Sequence, residues 1–558
     1  MRASSRHSSR SADHALRSRL RSKLLRADRT RDRTRGAIVM AELLRDIVDE
    51  RGDDVALTDE FRTCTYSDLD ERVNRLVDAV RAAGMKVGDV AGVLSGNRIE
   101  FFEITQALSH TGVLYVPINW HFTASEIEYV LDDSGATALF ADHEFADLAA
   151  DAASRVPAVT TRVLFGGEPP DGFVDYEEFV ASGSPEEPAD QSAGFVMFYT
   201  SGTTGQPKGV KSSMVEIGSP LASIQFVVDA FSGLMGIPRD GTALVNSPVY
   251  HAGPYLLSVV PFGIGNRLVI RRKFDPAETL QLIDEHQVTI VYAVPTQFVR
   301  LLRLPDDVRA SFDGSSLQYV FHTAAPCPPD VKRQMIEWWG PVIYEYYGAS
   351  EGAGSGTSIT AAEWLERPGS VGKAQPTCEV WILDENHQRL GPNEVGQIYF
   401  KSLMGTDFEY HNAPEKTAAS HLEPGVFTYG DMGYLDDDGY LFLSDRKIDM
   451  IISGGVNIYP AEIEAAMLNH PAVRDVAVFG VPNDEFGEEV KAVVQLMDGV
   501  DADDDLERSL MAFCREHVAG YKCPRSIDVV DDFPRTETGK LQKRLLRDPY
   551  WEDLERTI

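Results

Sequence analysis

Between residues 66 and 347 the sequence switches repeatedly between two hydrophobic periodicities, and few folds accommodate that. Residues 66–83 place apolar side chains at helical spacing and stop at Gly84, whereas 90–94 is a short apolar strand. Residues 99–110 are again helical and 113–117 again strand-like, and the exchange continues through 126–131 and 137–141. A second series of candidate strands falls at 243–247, 267–270, 289–294, 319–322 and 342–347. Alternation of this kind predicts a parallel or mixed sheet covered by helices. Residues 165–192, rich in Gly, Pro, Asp and Glu, predict a connecting surface segment. From about 369 to 440, short strands between Gly and Asp/Asn turns predict a small β-rich unit, and residues 450–558 predict a compact α+β domain. The expected fold class is therefore α/β. Two α/β subdomains and a β-rich subdomain make a large N-terminal region, followed by a small C-terminal domain.

Charge narrows the function. The net charge is −33, but residues 1–40 alone carry +9, so the other 518 residues carry −42. An acidic body of that size excludes wholesale nucleic-acid binding. The basic, Ser-rich residues 1–40 predict a disordered extension that buries no core, with a transit-like segment or a translation start placed too far upstream of Met40 as the alternative readings. No apolar run is long enough to span a bilayer; the longest candidate, 254–264, is broken by Pro261 and Gly263, which leaves peripheral contact as the only membrane association. Five scattered cysteines without Cys-x-x-Cys spacing point to a reducing compartment, expected to be cytoplasmic, and not to a disulfide or metal framework.

The chemistry starts after an apolar run, 195–199. Residues 199–210 read YTSGTTGQPKGV, with glycines at 202, 205 and 209. Glycines allow the backbone to approach an anion; Thr200, Ser201, Thr203 and Thr204 offer hydroxyl donors, and Lys208 a compact cation. This describes a loop that handles phosphates. It is not a Walker A loop, because Pro207 and Gly209 flank the lysine where Gly and Ser/Thr are needed. Further on, Tyr347-Gly348-Ala349-Ser350-Glu351 offers a flat aromatic face, a hydroxyl and a single carboxylate of the kind Mg²⁺ accepts. Tyr429-Gly430-Asp431, Asp445 to Asp449 with Gly454-Gly455 behind it, and Thr538-Gly539-Lys540 would each be ordinary turns in isolation.

In order and spacing, these five strings resemble the signatures of the AMP-forming adenylating enzymes, the superfamily of acyl-CoA synthetases, luciferases and peptide-synthetase adenylation domains. The likeness covers nearly the whole chain after residue 40. It departs at Ser350 and Tyr429, where the family has threonine, and at Ile448, where the family's charged hinge residue falls. The resemblance implies that residues 41–445 form an adenylation domain and 446–558 a mobile C-terminal domain. It implies an ATP/AMP site of Thr200, Ser201, Gly202, Thr203, Thr204, Gly205, Lys208, Tyr347, Gly348, Ser350, Asp431, Arg446 and Lys540. Glu351 and Thr200 would serve Mg²⁺ and, with Lys540, catalysis; Gly454 and Gly455 would line the coenzyme A passage. Tyr250, His251, Val294 and Ala324 would belong to the acyl pocket, with Tyr255, Leu257 and Phe298 nearby.

The implied activity is conversion of a carboxylic acid, expected to be fatty or otherwise hydrophobic, to acyl-AMP and then to acyl-CoA by a monomer or homodimer. Loading of a separate carrier protein, a reaction stopped at acyl-AMP, and a non-catalytic nucleotide sensor are the alternative readings. No His-Glu-x-x-His motif competes with these.

Overall fold

The structure, a computed structural model, describes residues 45–200, 207–325, 327–446, 449–453, 456–483, 486–500, 502–535 and 541–551. The basic residues 1–40 lie outside them.

The first layer is a parallel sheet of Leu114–Ile118, Val90–Leu94, Ala136–Asp142, Thr161–Phe165 and Val174–Asp175, in that order. Its covering helices begin where the sequence supplies caps. Thr65 and Asp68 form a capping box for Tyr66–Ala82, and Thr123 and Glu126 one for Ala124–Ser134. Gly135 ends the latter helix at φ 70°, a conformation that costs a glycine little.

Residues 165–192 are more than a connector. Val174–Asp175 adds an edge strand, Asp175 caps the helix Tyr176–Ala181, and Tyr176 is buried with its hydroxyl donating to Glu103 at 2.8 Å. Three aromatic side chains, Phe173, Tyr176 and Phe179, provide burial that the turn-rich composition around them concealed.

A fifteen-stranded sheet forms the second layer among the described residues. One half is a parallel run ordered Val55–Thr58, Arg267–Ile270, Thr242–Val245, Ile290–Ala293, Tyr319–His322 and Ile343–Tyr347. Its strands alternate strictly: Ala243, Val245, Ile290, Tyr292 and Phe321 enter one core, while Leu244, Val291, Ala293 and Val320 enter another. Both faces are therefore covered, as parallel sheets require. Beyond Tyr347 the sheet turns antiparallel through Thr357–Ile359, Ser370–Ala374, Leu441–Arg446, Asp431–Leu435 and Gly396–Ser402.

Residues from Ile451 onward build a separate sheet around the long pair Val473–Asn483 and Gly487–Leu496, packed by helices Pro460–Met467 and Asp504–His517. Among the described residues no helix is long and apolar enough to cross a membrane.

Candidate active site

Ligands of open α/β sheets bind beyond the carboxyl ends of the strands. Four neighbouring strands of the parallel run end at Val245, Ala293, His322 and Tyr347. The candidate segments at 247–251, 294, 323–324 and 348–351 thus line up along one edge, where the sheet changes from parallel to antiparallel. Backbone strain marks the same edge. Ala324 and Ala353 both have positive φ, 75° and 43°, in a region that costs an L-residue roughly 1–2 kcal/mol.

The strands on either side of the phosphate-type loop pair with each other. Phe198–Thr200 pairs antiparallel with Lys208–Ser212, with Thr200 opposite Lys208 and Tyr199 opposite Gly209. A strand, not a helix, follows the loop, so helix-dipole assistance of the Walker A kind is absent from this hairpin. Ser201, Gly202, Thr203, Thr204 and Gly205 lie outside the described residues. Gly209 packs tightly: a Cβ there would stand 3.0 Å from the Tyr199 ring and from His411, so one of them would have to shift.

On its other edge, Lys208–Ser212 pairs with Phe408–Tyr410. This pairing brings Tyr410 under the Lys208 ammonium, 5.1 Å from the ring centroid, while the Tyr410 hydroxyl donates to Glu351 Oε1 at 3.0 Å. Burial lowers the Lys208 pKa, the positive charge of Lys416 lowers it further, and Glu351 opposes both. Lys416 belongs to the short helix Pro414–Ser420 that follows Tyr410.

A second group gathers around Asp431. The Tyr347 hydroxyl donates to Asp431 Oδ2 at 2.5 Å, and Asp431 is the cross-strand backbone partner of Arg446. Tyr429 stacks on Phe400 with centroids 4.7 Å apart and donates its hydroxyl to the Ser355 carbonyl at 2.9 Å. Burial holds its phenol well above the ordinary range, so it remains a neutral donor. The Tyr429 hydroxyl also lies close to the turn Ser350–Gly352, where a Cβ on Gly352 would stand 2.8 Å from it.

The candidate acyl residues divide. Tyr250 is buried, edge-on to Trp120 and 4.4 Å from the His251 ring, and His251 precedes the helix Ala252–Gly263. Asn97 anchors this segment from the first layer, donating to the Ser247 carbonyl at 2.9 Å and accepting from Val249 N–H at 3.1 Å. Ala324 is exposed on the edge. Val294, Tyr255, Leu257 and Phe298 contribute their side chains to the apolar cores. A surface cavity of about 860 Å³ near Phe61, Arg98 and Glu168 shares no lining residue with any of these groups.

Lys540, Gly454 and Gly455 lie outside the described residues. Tyr410 and Lys416 were missed at the sequence level. The signal was a strand end running into a helix, with a phenol, an imidazole, an amide and a lysine within seven residues, 410–416.

For a magnesium ion the donor set is sparse but suitable. Among the described residues no cluster of three or more ligating side chains occurs, and the site offers one carboxylate, Glu351, with the Thr200 hydroxyl ending the hairpin strand. That fits an ion held chiefly by phosphate and water.

Known proteins resemble this chain over most of its length. The model of the AMP-binding enzyme family matches residues 44–405, and that of the AMP-binding enzyme C-terminal domain matches 462–540. A feruloyl-CoA synthase of Amycolatopsis sp. is 33% identical over 492 residues, covering 87% of this chain and 93% of that protein. A 2-succinylbenzoate–CoA ligase of Geobacillus kaustophilus is 33% identical over 504 residues, 88% of this chain and 94% of the ligase. The ATP-bound crystal structure of MatB from Rhodopseudomonas palustris superposes with a TM-score of 0.78 at 28% identity, covering 92% of this chain and 99% of that one.

Proposed function

Because the chain belongs to the AMP-binding enzyme family, we propose that it activates a hydrophobic carboxylic acid with ATP and passes the acyl group to coenzyme A. In the first half-reaction a carboxylate oxygen attacks the α-phosphorus and the bond to pyrophosphate breaks, giving acyl-AMP. In the second, the thiol sulfur attacks the acyl carbon, loses its proton and expels AMP. The observation that carries this reading is the convergence of Lys208, Tyr410, Glu351 and the Tyr347–Asp431 pair at one strand edge.

No enzyme nucleophile is needed, because the substrate carboxylate is the nucleophile; catalysis is positioning and charge stabilisation. Lys208 receives the β- and γ-phosphates that leave. Tyr347 and Asp431 hold the nucleoside, the carboxylate accepting from the ribose hydroxyls. Glu351 and Thr200 would hold a magnesium ion arriving with ATP, which would neutralise phosphate charge. Residues 41–445 then act as the adenylation domain and 446–558 as the domain that turns about the 446–449 junction. That turn exchanges Lys540, used with the α-phosphate, for the Gly454-Gly455 face, used with the thiol. The five cysteines, scattered and without Cys-x-x-Cys spacing, support a reducing compartment such as the cytoplasm. The acyl pocket is proposed between Tyr250, His251 and Ala324, with Val294 behind its wall.

The test is pyrophosphate release from ATP across a panel of short-chain, long-chain, aryl and steroid-derived acids, with and without coenzyme A. Acid-dependent release and coenzyme A-dependent AMP formation are expected; release that no acid stimulates would overturn the reading. Lys540→Ala should abolish acyl-AMP formation yet spare thiolation of supplied acyl-AMP, and equal loss of both would remove the exchange of faces.

A further inference from the structure

Asp133 belongs to the first layer of the fold, yet it holds both flanks of the phosphate-handling hairpin. It lies in the last turn of the helix Ala124–Ser134, where terminal carbonyls lack intrahelical donors. Its carbonyl accepts from Asn412 Nδ2 at 2.9 Å and lies 2.9 Å from His411 Nε2. A carbonyl only accepts, so this nitrogen carries the imidazole proton. The two carboxylate oxygens are divided. Oδ2 accepts the Tyr199 hydroxyl at 2.7 Å, and Oδ1 lies 3.3 Å from Asn412 Nδ2.

These partners are not scattered. Tyr199 immediately precedes Thr200 on the strand entering the loop, and its ring packs against Gly209, next to Lys208. His411 and Asn412 immediately follow Tyr410, which sits beneath Lys208 and bonds Glu351. Asn412 has φ 52°, a left-handed conformation that asparagine tolerates better than most residues, and it turns the chain back toward Asp133. A shift of either segment would move Lys208 relative to Glu351.

We propose that Asp133 is a positioning residue for the phosphates of ATP: it touches no substrate, but sets the spacing between the Lys208 strand and the Tyr410–Glu351 contact. The proposal rests on the adenylation reading for the identity of the ligand. A merely structural tie would lower thermal stability and leave the affinities for ATP and acid in their original ratio. A positioning residue changes the affinity for ATP selectively.

The experiment uses the full chain and measures MgATP affinity by calorimetry and the KM of the acid by pyrophosphate release. The proteins compared are wild type, Asp133→Ala, Tyr199→Phe and the double variant. Asp133→Ala is expected to weaken MgATP about tenfold, because it removes both the Tyr199 bond and the Oδ1 contact with Asn412. Tyr199→Phe, which removes one hydroxyl and leaves the fold intact, is expected to weaken it about threefold. The double variant should be no weaker than Asp133→Ala, because both changes remove the same bond. The acid KM should stay within about twofold of wild type.

Unchanged MgATP affinity in both single variants, equal losses for ATP and acid, or additive losses in the double variant would overturn the proposal. Calorimetry reads affinity without turnover. A wild-type protein that binds MgATP but releases no pyrophosphate would therefore overturn the adenylation reading alone.

Discussion

Two lysine–glutamate pairs stand at the carboxyl edge of the parallel run, and they differ in what lies between the partners. Lys332 and Glu345 touch. Nζ is 2.5 Å from Oε2, Lys332 is fully buried, and its ammonium packs over Trp364. Burial pushes Glu345 up and Lys332 down in pKa, and their mutual attraction opposes both shifts. His322, one strand away and 3.6 Å from Glu345, is held neutral by burial and then by Lys332. Lys208 and Glu351 do not touch; Tyr410 stands between them, and both are only half-buried. The contact pair spends its charges on each other and fixes the strand ends. The separated pair keeps one cation and one anion apart, which suits a ligand carrying both signs, such as a polyphosphate with its metal.

The largest expected effect breaks the contact pair. Lys332→Met leaves Glu345 buried without a cation and should cost about 3–5 kcal/mol of stability. Combining Lys332→Met with Glu345→Leu should recover most of that loss, because two apolar side chains need no partner. Urea unfolding of the single and double variants measures both. A loss under about 1 kcal/mol in the single variant would mean that the pair behaves like a surface contact. The separated pair should respond in the opposite sense. Glu351→Gln is expected to leave stability within about 0.5 kcal/mol and to lower kcat by about 10²-fold, read by unfolding and pyrophosphate release on the same preparation. A stability loss as large as that of Lys332→Met would erase the distinction between the pairs.

The bridging phenol comes next. Tyr410→Phe keeps the ring beneath Lys208 and removes the bond to Glu351, so it should lower kcat/KM for ATP about fivefold, the worth of roughly one hydrogen bond. An effect as large as that of Glu351→Gln would make the hydroxyl part of the charge stabilisation itself and not a spacer.

What was legible in the sequence follows the range of the interactions. The strands Val90–Leu94, Arg267–Ile270 and Tyr319–His322 were readable to the residue, because each is a short apolar run between polar boundaries. Lys208, Tyr347, Glu351 and Asp431, which the fold brings to one strand edge, were singled out because each sits in a local string whose residue types suit phosphate, ribose or metal. Tyr410 was not: its place depends on a strand pairing that brings residue 410 to residue 210. Asp133 was hidden further still, since its contact with His411 spans 278 residues. Lys332 and Glu345 are only 13 apart, but they meet because a helix face and a strand face happen to coincide in the packed fold. Helix Tyr176–Ala181 was obscured for a different reason, because its few buried aromatics lie in a stretch whose composition signals turns.

The smallest effect concerns how the separated pair titrates. Lys208 has a lowered pKa, from burial first and Lys416 second, with Glu351 pulling the other way. Phosphate binds the protonated ammonium, so the KM for ATP should be flat at low pH and rise as pH passes up through that lowered pKa. Lys208→Arg keeps its proton throughout this range and should flatten the alkaline limb. Lys416→Ala removes a like charge and should move the midpoint of the limb to higher pH. Glu351→Gln removes an opposite charge and should move it to lower pH. Measuring the KM for ATP against pH in the four proteins separates these cases by the sign of the midpoint shift, whatever each substitution does to the plateau. If the limbs of wild type and Lys208→Arg coincide, another group titrates. If Lys416→Ala and Glu351→Gln move the midpoint in the same direction, the two charges do not act on one ammonium, and the picture of a cation and an anion held apart across Tyr410 fails.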